Sequence, residues 1–462
     1  MQFLQGRVQH ARGPRYRAIA DAIAQAIAQR IVIEGDQLPT QRDLAVRLDV
    51  DVTTVTRAYT EARHRGLLDG TVGRGTFVRA MDRSPASLGE QRSVVDMSMN
   101  LPPQPTEPAL GHLLREGLNW LLSHADMRSL MNYRSGAGIG QDRAAAAGWL
   151  HPTMGDVNAD RIVVCGGAQC AMTALLTTLA RPGETVLTET LTYPAFRALA
   201  AQLGIRLVAA PTDDAGLVPD ALAKACAEIR PKAIYCVPTI HNPTTVTMPV
   251  ERRHAIADVI LRQKVSFIED DPYGLLPSRP LPAIASLAAG EAYYIGTVSK
   301  CLSPGLRTAF VVAPRPAQAS RLVEAVRAIS LTPSPLLTSL VTRWIEDGTA
   351  LKLRNAVRQE SAARQALARE QLAGQAIAAH PDGLHVWLTL PAQWSRLAFS
   401  AHMRRHGLAL VPSDAFLVGG AAPNAVRICL GAAESRTVLR DALEMLADAL
   451  RGEAPTYLGG II

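Results

Sequence analysis

The chain reads as two folds in series: a winged helix-turn-helix of the α+β class, then an α/β domain built on a mostly parallel seven-stranded sheet. Two patterns predict this. Residues 16–78 hold three short helical stretches ahead of a glycine-punctuated hairpin, and residues 161–313 hold seven apolar, β-branched runs separated by helical stretches. Length agrees, because 462 residues exceed the roughly 150 of an ordinary domain about threefold. With 48% hydrophobic and 19% charged residues, a disordered or collagen-like chain is excluded.

At the front, Ile19, Ile23 and Ile27 stand four apart with polar Asp21, Gln25 and Gln29 between them, so 16–30 is an amphipathic helix. A Gly35-Asp36 turn follows. Thr40 with Asp43 makes a capping-box-like start for a second helix carrying Leu44, Ala45 and Leu48. Asp51 caps a third, 52–65, which Gly66 stops. Leu67-Leu68, the glycines at 70, 73 and 75, and Thr76-Phe77-Val78 then form a small hairpin. From 80 to 108 the prolines at 85, 102, 103, 105 and 108 interrupt any periodicity, which predicts a semi-stiff linker.

Beyond it the strand-like runs fall at 161–164, 185–188, 205–210, 233–237, 265–268, 292–298 and 308–313. Continuous apolar runs of this kind belong to sheets covered on both faces, and such sheets bind ligands beyond the carboxyl ends of their strands.

The net charge is +7, of which residues 1–80 carry +4, with 12 Arg and no Lys against 8 acidic residues. That front-loaded excess suits phosphate binding but equally a mixed solvated surface. No run approaches the roughly 18 apolar residues of a membrane span, and MQFLQGRVQHARGPRYR lacks a signal peptide's apolar run, so a cytoplasmic protein is expected. Cys165, Cys170, Cys226, Cys236, Cys301 and Cys429 form no CxxC pair and read as small buried thiols. His402 and His406 lack a neighbouring carboxylate and read as surface histidines, so no metal site is expected.

Lysine is rare: Lys224, Lys232, Lys264, Lys300 and Lys352 are the whole set. Among them Lys300 alone directly follows a strand, in GTVSKCLSPGLR, where an amine can form a Schiff base beside the hydroxyls of Thr297 and Ser299 and the guanidinium of Arg307. Glu269-Asp270-Asp271-Pro272-Tyr273 and Pro238-Thr239-Ile240-His241-Asn242-Pro243-Thr244 follow two other runs. A pyridine cofactor acting as an electron sink needs a carboxylate at its ring nitrogen, a role open to Asp270, while Asn242 and Tyr273 suit its phenolic oxygen. Gly166-Gly167-Ala168-Gln169 opens a helix whose free N–H groups suit a phosphate.

Two resemblances join these readings. The stretch GDQLPTQRDLAVRLDVDVTTVTRAYTEARHRGLLDGTVGRGTFV resembles the GntR-type winged helix, with its Leu-Pro before the second helix and its Gly-Arg-Gly-Thr wing. The resemblance implies that the third helix enters the major groove of double-stranded operator DNA, with Arg42, Thr53, Thr54, Thr56, Arg74 and Gly75 as DNA contacts. One departure stands out: Val52 occupies a turn position where that family usually has Arg. Residues 109–462 resemble the fold-type I, class I aminotransferases that use pyridoxal 5'-phosphate (PLP). This implies Lys300 as the internal aldimine lysine, Asp270 at the ring nitrogen, Asn242 and Tyr273 at the phenolate, and Tyr193 stacked on the ring. Ala168, Gln169, Thr297 and Arg307 are the implied phosphate contacts, with Tyr133 reaching the phosphate of a neighbouring subunit and Arg427 pairing with a substrate or effector carboxylate. Thr245 departs from the pattern, standing where a glycine usually follows Asn-Pro-Thr.

The fusion resembles the MocR family of PLP-dependent transcriptional regulators. It implies a winged helix over 1–80, a linker over 81–108, a PLP-binding large domain over 109–331 and a small C-terminal α/β subdomain over 332–462. It further implies a head-to-tail homodimer that senses PLP itself or an amino compound through Lys300. A working aminotransferase with a DNA-binding tether is the alternative.

Overall fold

The computed structural model describes residues 14–28, 31–32, 36–64, 67–71, 75–78, 95–134 and 136–452. They fall into two compact units, divided between Gln91 and Arg92.

In the first unit, helices α1 (Arg15–Ala28), α2 (Gln41–Leu48) and α3 (Val52–His64) pack with strands β1 (Gln37–Leu38), β2 (Leu68–Thr71) and β3 (Gly75–Val78). The strands form an antiparallel sheet in the order β1-β3-β2, with Leu68 opposite Val78. The caps act as their residue types predict. Thr40 Oγ1 accepts the Asp43 N–H at 3.2 Å, and Asp51 Oδ1 accepts that of Thr53 at 2.7 Å. Ile19, Ile23, Leu44, Leu48, Val55, Tyr59, Leu68 and Val78 form one small core. Gly66, expected to stop α3, lies outside the described residues.

The second unit opens with β4 (Val95–Asp96). The main sheet contains β5 (Ile162–Cys165), β6 (Thr185–Glu189) and β7 (Arg206–Ala210), the last followed by a hairpin of β8 (Thr212–Asp213) and β9 (Gly216–Leu217). It continues with β10 (Ala233–Cys236), β11 (Ser266–Asp271), β12 (Ala292–Thr297) and β13 (Ala309–Val312). Its order is β5-β13-β12-β11-β10-β6-β7, parallel except for β13, which runs against both neighbours. All seven apolar runs are strands of this sheet. β11 extends three residues past its run, through Glu269, Asp270 and Asp271, because each acid meets a partner: Arg253, Tyr235 and Tyr294 respectively. Burying a carboxylate without such partners costs several kcal/mol.

A smaller antiparallel sheet, β14 (Ile377–Ala379), β15 (His385–Thr389), β17 (Val411–Pro412) and β18 (Ala425–Cys429), packs with helices that include Arg436–Arg451. The short strand β16 (Leu408–Ala409) pairs in parallel with β4. The proline-rich stretch therefore is not linker throughout. From Val95 onward it is bound into the fold, with Met97 fully buried. Gly431 makes the close approach possible: a Cβ there would lie 1.9 Å from the Leu101 carbonyl oxygen. Among the described residues no helix is long and apolar enough to cross a membrane, and all six cysteines are free thiols, five of them buried.

Candidate functional site

A cavity of about 450 Å³ lies beyond the carboxyl ends of β11 and β12. Ala168, Gln169, Tyr193, Asn242, Asp270, Tyr273, Thr297, Lys300, Arg307 and Arg427 all line it. Tyr133 does not, and it is 78% exposed.

Lys300 stands on the tight turn that follows β12. Thr297 Oγ1 organises that turn, accepting the Ser299 N–H at 3.2 Å and donating to the Thr308 carbonyl at 3.1 Å. The Lys300 ammonium donates to the Asn100 carbonyl. Burial lowers its pKa to about 8, against the opposing pull of the Cys429 thiol and Asp270. At pH 7 the neutral, nucleophilic fraction is then larger than that of an ordinary lysine by about two orders of magnitude. Labelling of Lys300 in cofactor-free protein by trace acetic anhydride, read by mass spectrometry, is expected to rise through pH 8 and level by about pH 9, whereas an ordinary lysine keeps rising toward about pH 10.4.

Asp270 is buried on β11. Its Oδ2 accepts from the Tyr235 hydroxyl at 2.6 Å, while Oδ1 has no hydrogen-bond partner. Burial lifts its pKa to about 7, with Asp271 adding to the rise and Tyr235 and Lys300 opposing it. An orphaned, buried carboxylate oxygen facing a cavity is suited to a cationic N–H. At the other side, β5 turns at Gly166-Gly167 into helix Ala168–Leu179. Gly167 has φ +93°, and a Cβ there would sit 2.8 Å from Arg307 Nη2. Among the described residues that guanidinium makes one long 3.4 Å bond, to the Gly166 carbonyl, so it stands with the helix N–H groups as a cradle for a phosphate.

Arg427 on β18 donates through Nη1 to Asn242 Oδ1 at 2.7 Å and through Nη2 to the Ser98 carbonyl at 2.5 Å, leaving its Nε without a partner. With Oδ1 engaged, the Asn242 amide N–H₂ is the group left to donate. The Tyr273 hydroxyl accepts from Asn100 Nδ2 at 2.7 Å, and the same amide lies 3.2 Å from His385 Nδ1. Burial holds His385 neutral, with a pKa down to about 3. Sequence reasoning missed Asn100, Tyr235 and His385. Asn100 carried one weak signal, the β-branched Val94-Val95 pair interrupting a proline-rich stretch.

On the first unit, Arg42 is exposed on α2 and Thr53 and Thr56 are exposed on α3. Both hydroxyls are engaged: Thr53 Oγ1 donates to Asp51 Oδ1 at 2.6 Å and Thr56 Oγ1 to Gln41 Oε1 at 2.8 Å. Thr54 is half-buried, Gly75 opens β3, and Arg74 lies outside the described residues. Val52, where an arginine was expected, is exposed at the start of α3.

The orphaned Asp270 oxygen, the glycine cradle under Arg307 and the Lys300 amine fit PLP at ring nitrogen, phosphate and aldehyde respectively. The second unit is thus an aminotransferase-like domain of fold type I. Residues 92–446 match the model of aminotransferase class I and II, and residues 15–78 that of bacterial regulatory proteins of the gntR family. An uncharacterized HTH-type transcriptional regulator, YdeF of Bacillus subtilis, is 31% identical over 95% of this chain and 95% of its own. The vitamin B6 salvage pathway transcriptional repressor PtsJ of Salmonella typhimurium is 27% identical over 89% of this chain and 93% of its own. Among solved structures, the α-aminoadipate aminotransferase LysN of Thermus thermophilus superposes with a TM-score of 0.70 at 25% identity, covering 78% of this chain and 92% of that one. The chain belongs to the MocR-type regulators, in which a GntR winged helix precedes a PLP-binding, aminotransferase-like domain.

Proposed function

We propose that this protein is a cytoplasmic, operator-binding homodimer that senses PLP or an amino compound at Lys300. The observation that carries the reading is the coexistence, in one chain, of a winged helix and a cavity lined by an activated lysine and an aspartate with one orphaned oxygen. Bound there, PLP supplies an electrophilic aldehyde carbon and an electron-withdrawing ring. The chain's own groups do the rest. Lys300 presents a readily deprotonated amine, Asp270 holds a proton at the ring nitrogen, and Asn242 and Tyr273 hydrogen-bond the ring oxygen. Tyr193 covers the ring, while Ala168, Gln169 and Arg307 hold the phosphate, joined by Thr297 when its hydroxyl turns from the Thr308 carbonyl. Arg427, with its free Nε, receives an effector carboxylate. Exposed Tyr133 reaches the phosphate of the partner subunit. An effector shifts DNA affinity only if it favours one conformation over another.

The test is fluorescence anisotropy of DNA from upstream of the gene, at one salt concentration, with and without PLP. Specific binding that shifts with PLP in wild type but not in Lys300→Ala is expected. Binding indifferent to PLP, with steady turnover of amino acid and keto acid, would instead favour a tethered aminotransferase, a reading supported by 28% identity to 2-aminoadipate transaminase of Thermus thermophilus over 70% of this chain. A salt titration of Arg42→Ala should flatten the log–log slope by about one unit if Arg42 meets a phosphate. An unchanged slope removes Arg42 from the interface.

A further inference from the structure

A second cavity, of about 240 Å³, lies beside the first, between the carboxyl ends of β6 and β10, the β8–β9 hairpin, and Ala378 and Trp387 of the smaller sheet. Val237 lines both cavities, so the chain leading from it to Asn242 is the partition. Glu189 lines the second cavity, and its side chain is 4% exposed. Its two oxygens share the Val237 N–H at 3.3 and 3.2 Å, and one of them accepts the weak thiol donor of Cys236 at 3.1 Å. A carboxylate has about four acceptor sites, so this is thin satisfaction for a buried charge.

His241 stands within ion-pair distance of it but directs its ring nitrogens elsewhere. Its Nε2 lies 3.6 Å from Glu189 but 3.1 Å from the Leu191 carbonyl, and its Nδ1 is engaged by the Thr244 hydroxyl at 2.7 Å. Asp213 and Asp214 stand at the mouth, and no lysine or arginine lines the cavity. Arg252 pairs with Asp213 at 2.9 Å, leaving Asp214 exposed. The remaining walls are largely apolar, with Leu191, Val246, Met248 and Trp387 among them.

The loop forming the partition is held rigidly. Ile240 and Thr245, both β-branched, adopt positive φ of 46° and 65°, and His241 and Val246 share a 2.7 Å backbone hydrogen bond. Strain of this kind persists only where the surroundings over-determine it, often at ligand clamps. Here it keeps His241 toward one cavity and Asn242 toward the other. The positive φ also explains why glycine suits position 245.

From this arrangement we infer that the second cavity is a binding site for a small organic ammonium compound without a carboxylate. The cation completes Glu189 and gains from the indole of Trp387, the apolar body fills the walls, and a carboxylate is repelled by Glu189 and by exposed Asp214. An α-amino acid is therefore excluded from this cavity, though not from the one at Lys300.

The probe is N,N-dimethylbutylamine, a tertiary amine that cannot condense with an aldehyde and so does not compete for Lys300 chemistry. Calorimetric titration into full-length, PLP-saturated protein is expected to show one saturable site per chain. Glu189→Gln should weaken binding at least ten-fold, and Ala378→Trp, a plug at an exposed mouth position, should abolish it. No saturable heat with wild type, or binding that neither substitution weakens, overturns the inference. Should Glu189→Gln fail to fold, Ala378→Trp decides.

Discussion

Asp270→Asn is expected to weaken PLP binding roughly 100-fold while making the cofactor-free protein more stable. The affinity loss follows from removing the one carboxylate that, among the described residues, lines this cavity, since breaking a buried charge-assisted pair costs about 3–5 kcal/mol and a neutral amide recovers part of it. The gain in stability has the opposite physical origin. In the cofactor-free protein burial lifts the Asp270 pKa to about 7 from an ordinary 3.8, so the folded state resists an ionisation that the unfolded chain undergoes freely. The penalty is absent below about pH 4, grows through pH 4–7 and is complete above 7. Asn keeps an acceptor for the Tyr235 hydroxyl at that position and carries no charge. Its advantage in urea denaturation should therefore be about 1–3 kcal/mol at pH 8 and vanish by about pH 4. Equal loss of PLP affinity and of stability at pH 8 would show that Asp270 is a packing element rather than a site prepared for a cation.

Arg253→Met should strongly destabilise the fold. Arg253 is fully buried on helix Val250–Gln263, donates to the carbonyls of Met248, Pro238 and Pro282 and to the Thr239 hydroxyl at 2.9–3.2 Å, and lies 3.6 Å from Glu269. Glu269 Oε1 has no hydrogen bond, and burial already lifts that carboxyl to about pH 7 against the pull of Arg253. Removing the guanidinium leaves Glu269 without its counter-charge and takes a donor from three carbonyls and the Thr239 hydroxyl, although Pro238 keeps the Met248 N–H and Glu269 Oε2 keeps that of Ala285, at a cost of about 3–5 kcal/mol. Because Glu269 must then stay protonated, the deficit should be larger at pH 8 than at pH 5. Adding Glu269→Gln to Arg253→Met should narrow that pH difference. A midpoint shift in urea that is small and independent of pH would sink this account.

Much of the architecture was readable from residue order. The seven apolar runs became the seven strands, the Thr40 and Asp51 caps formed as their types require, and ten of the eleven residues assigned to cofactor or effector meet in one cavity. Lys300 stands out in the sequence because so few lysines exist and it alone directly follows a strand. What stayed hidden depended on distant partners. Asn100 looked like linker because its value lies in contacts with Tyr273, His385 and Lys300, which are 173, 285 and 200 residues away. Tyr235 and Arg253 read as ordinary strand and helix residues, since nothing in their neighbours announces a buried acid 35 or 16 positions on.

Periodicity, capping and strand-end position are local properties of a chain, written within a few residues of where they act, so element types, their order and the strand-end position of Lys300 follow from the residues alone. Which polar atoms are left without partners, and which cavity each faces, depends on how elements far apart in sequence pack. The orphaned oxygen of Asp270, the free Nε of Arg427 and the thinly satisfied Glu189 became visible only with the packed fold.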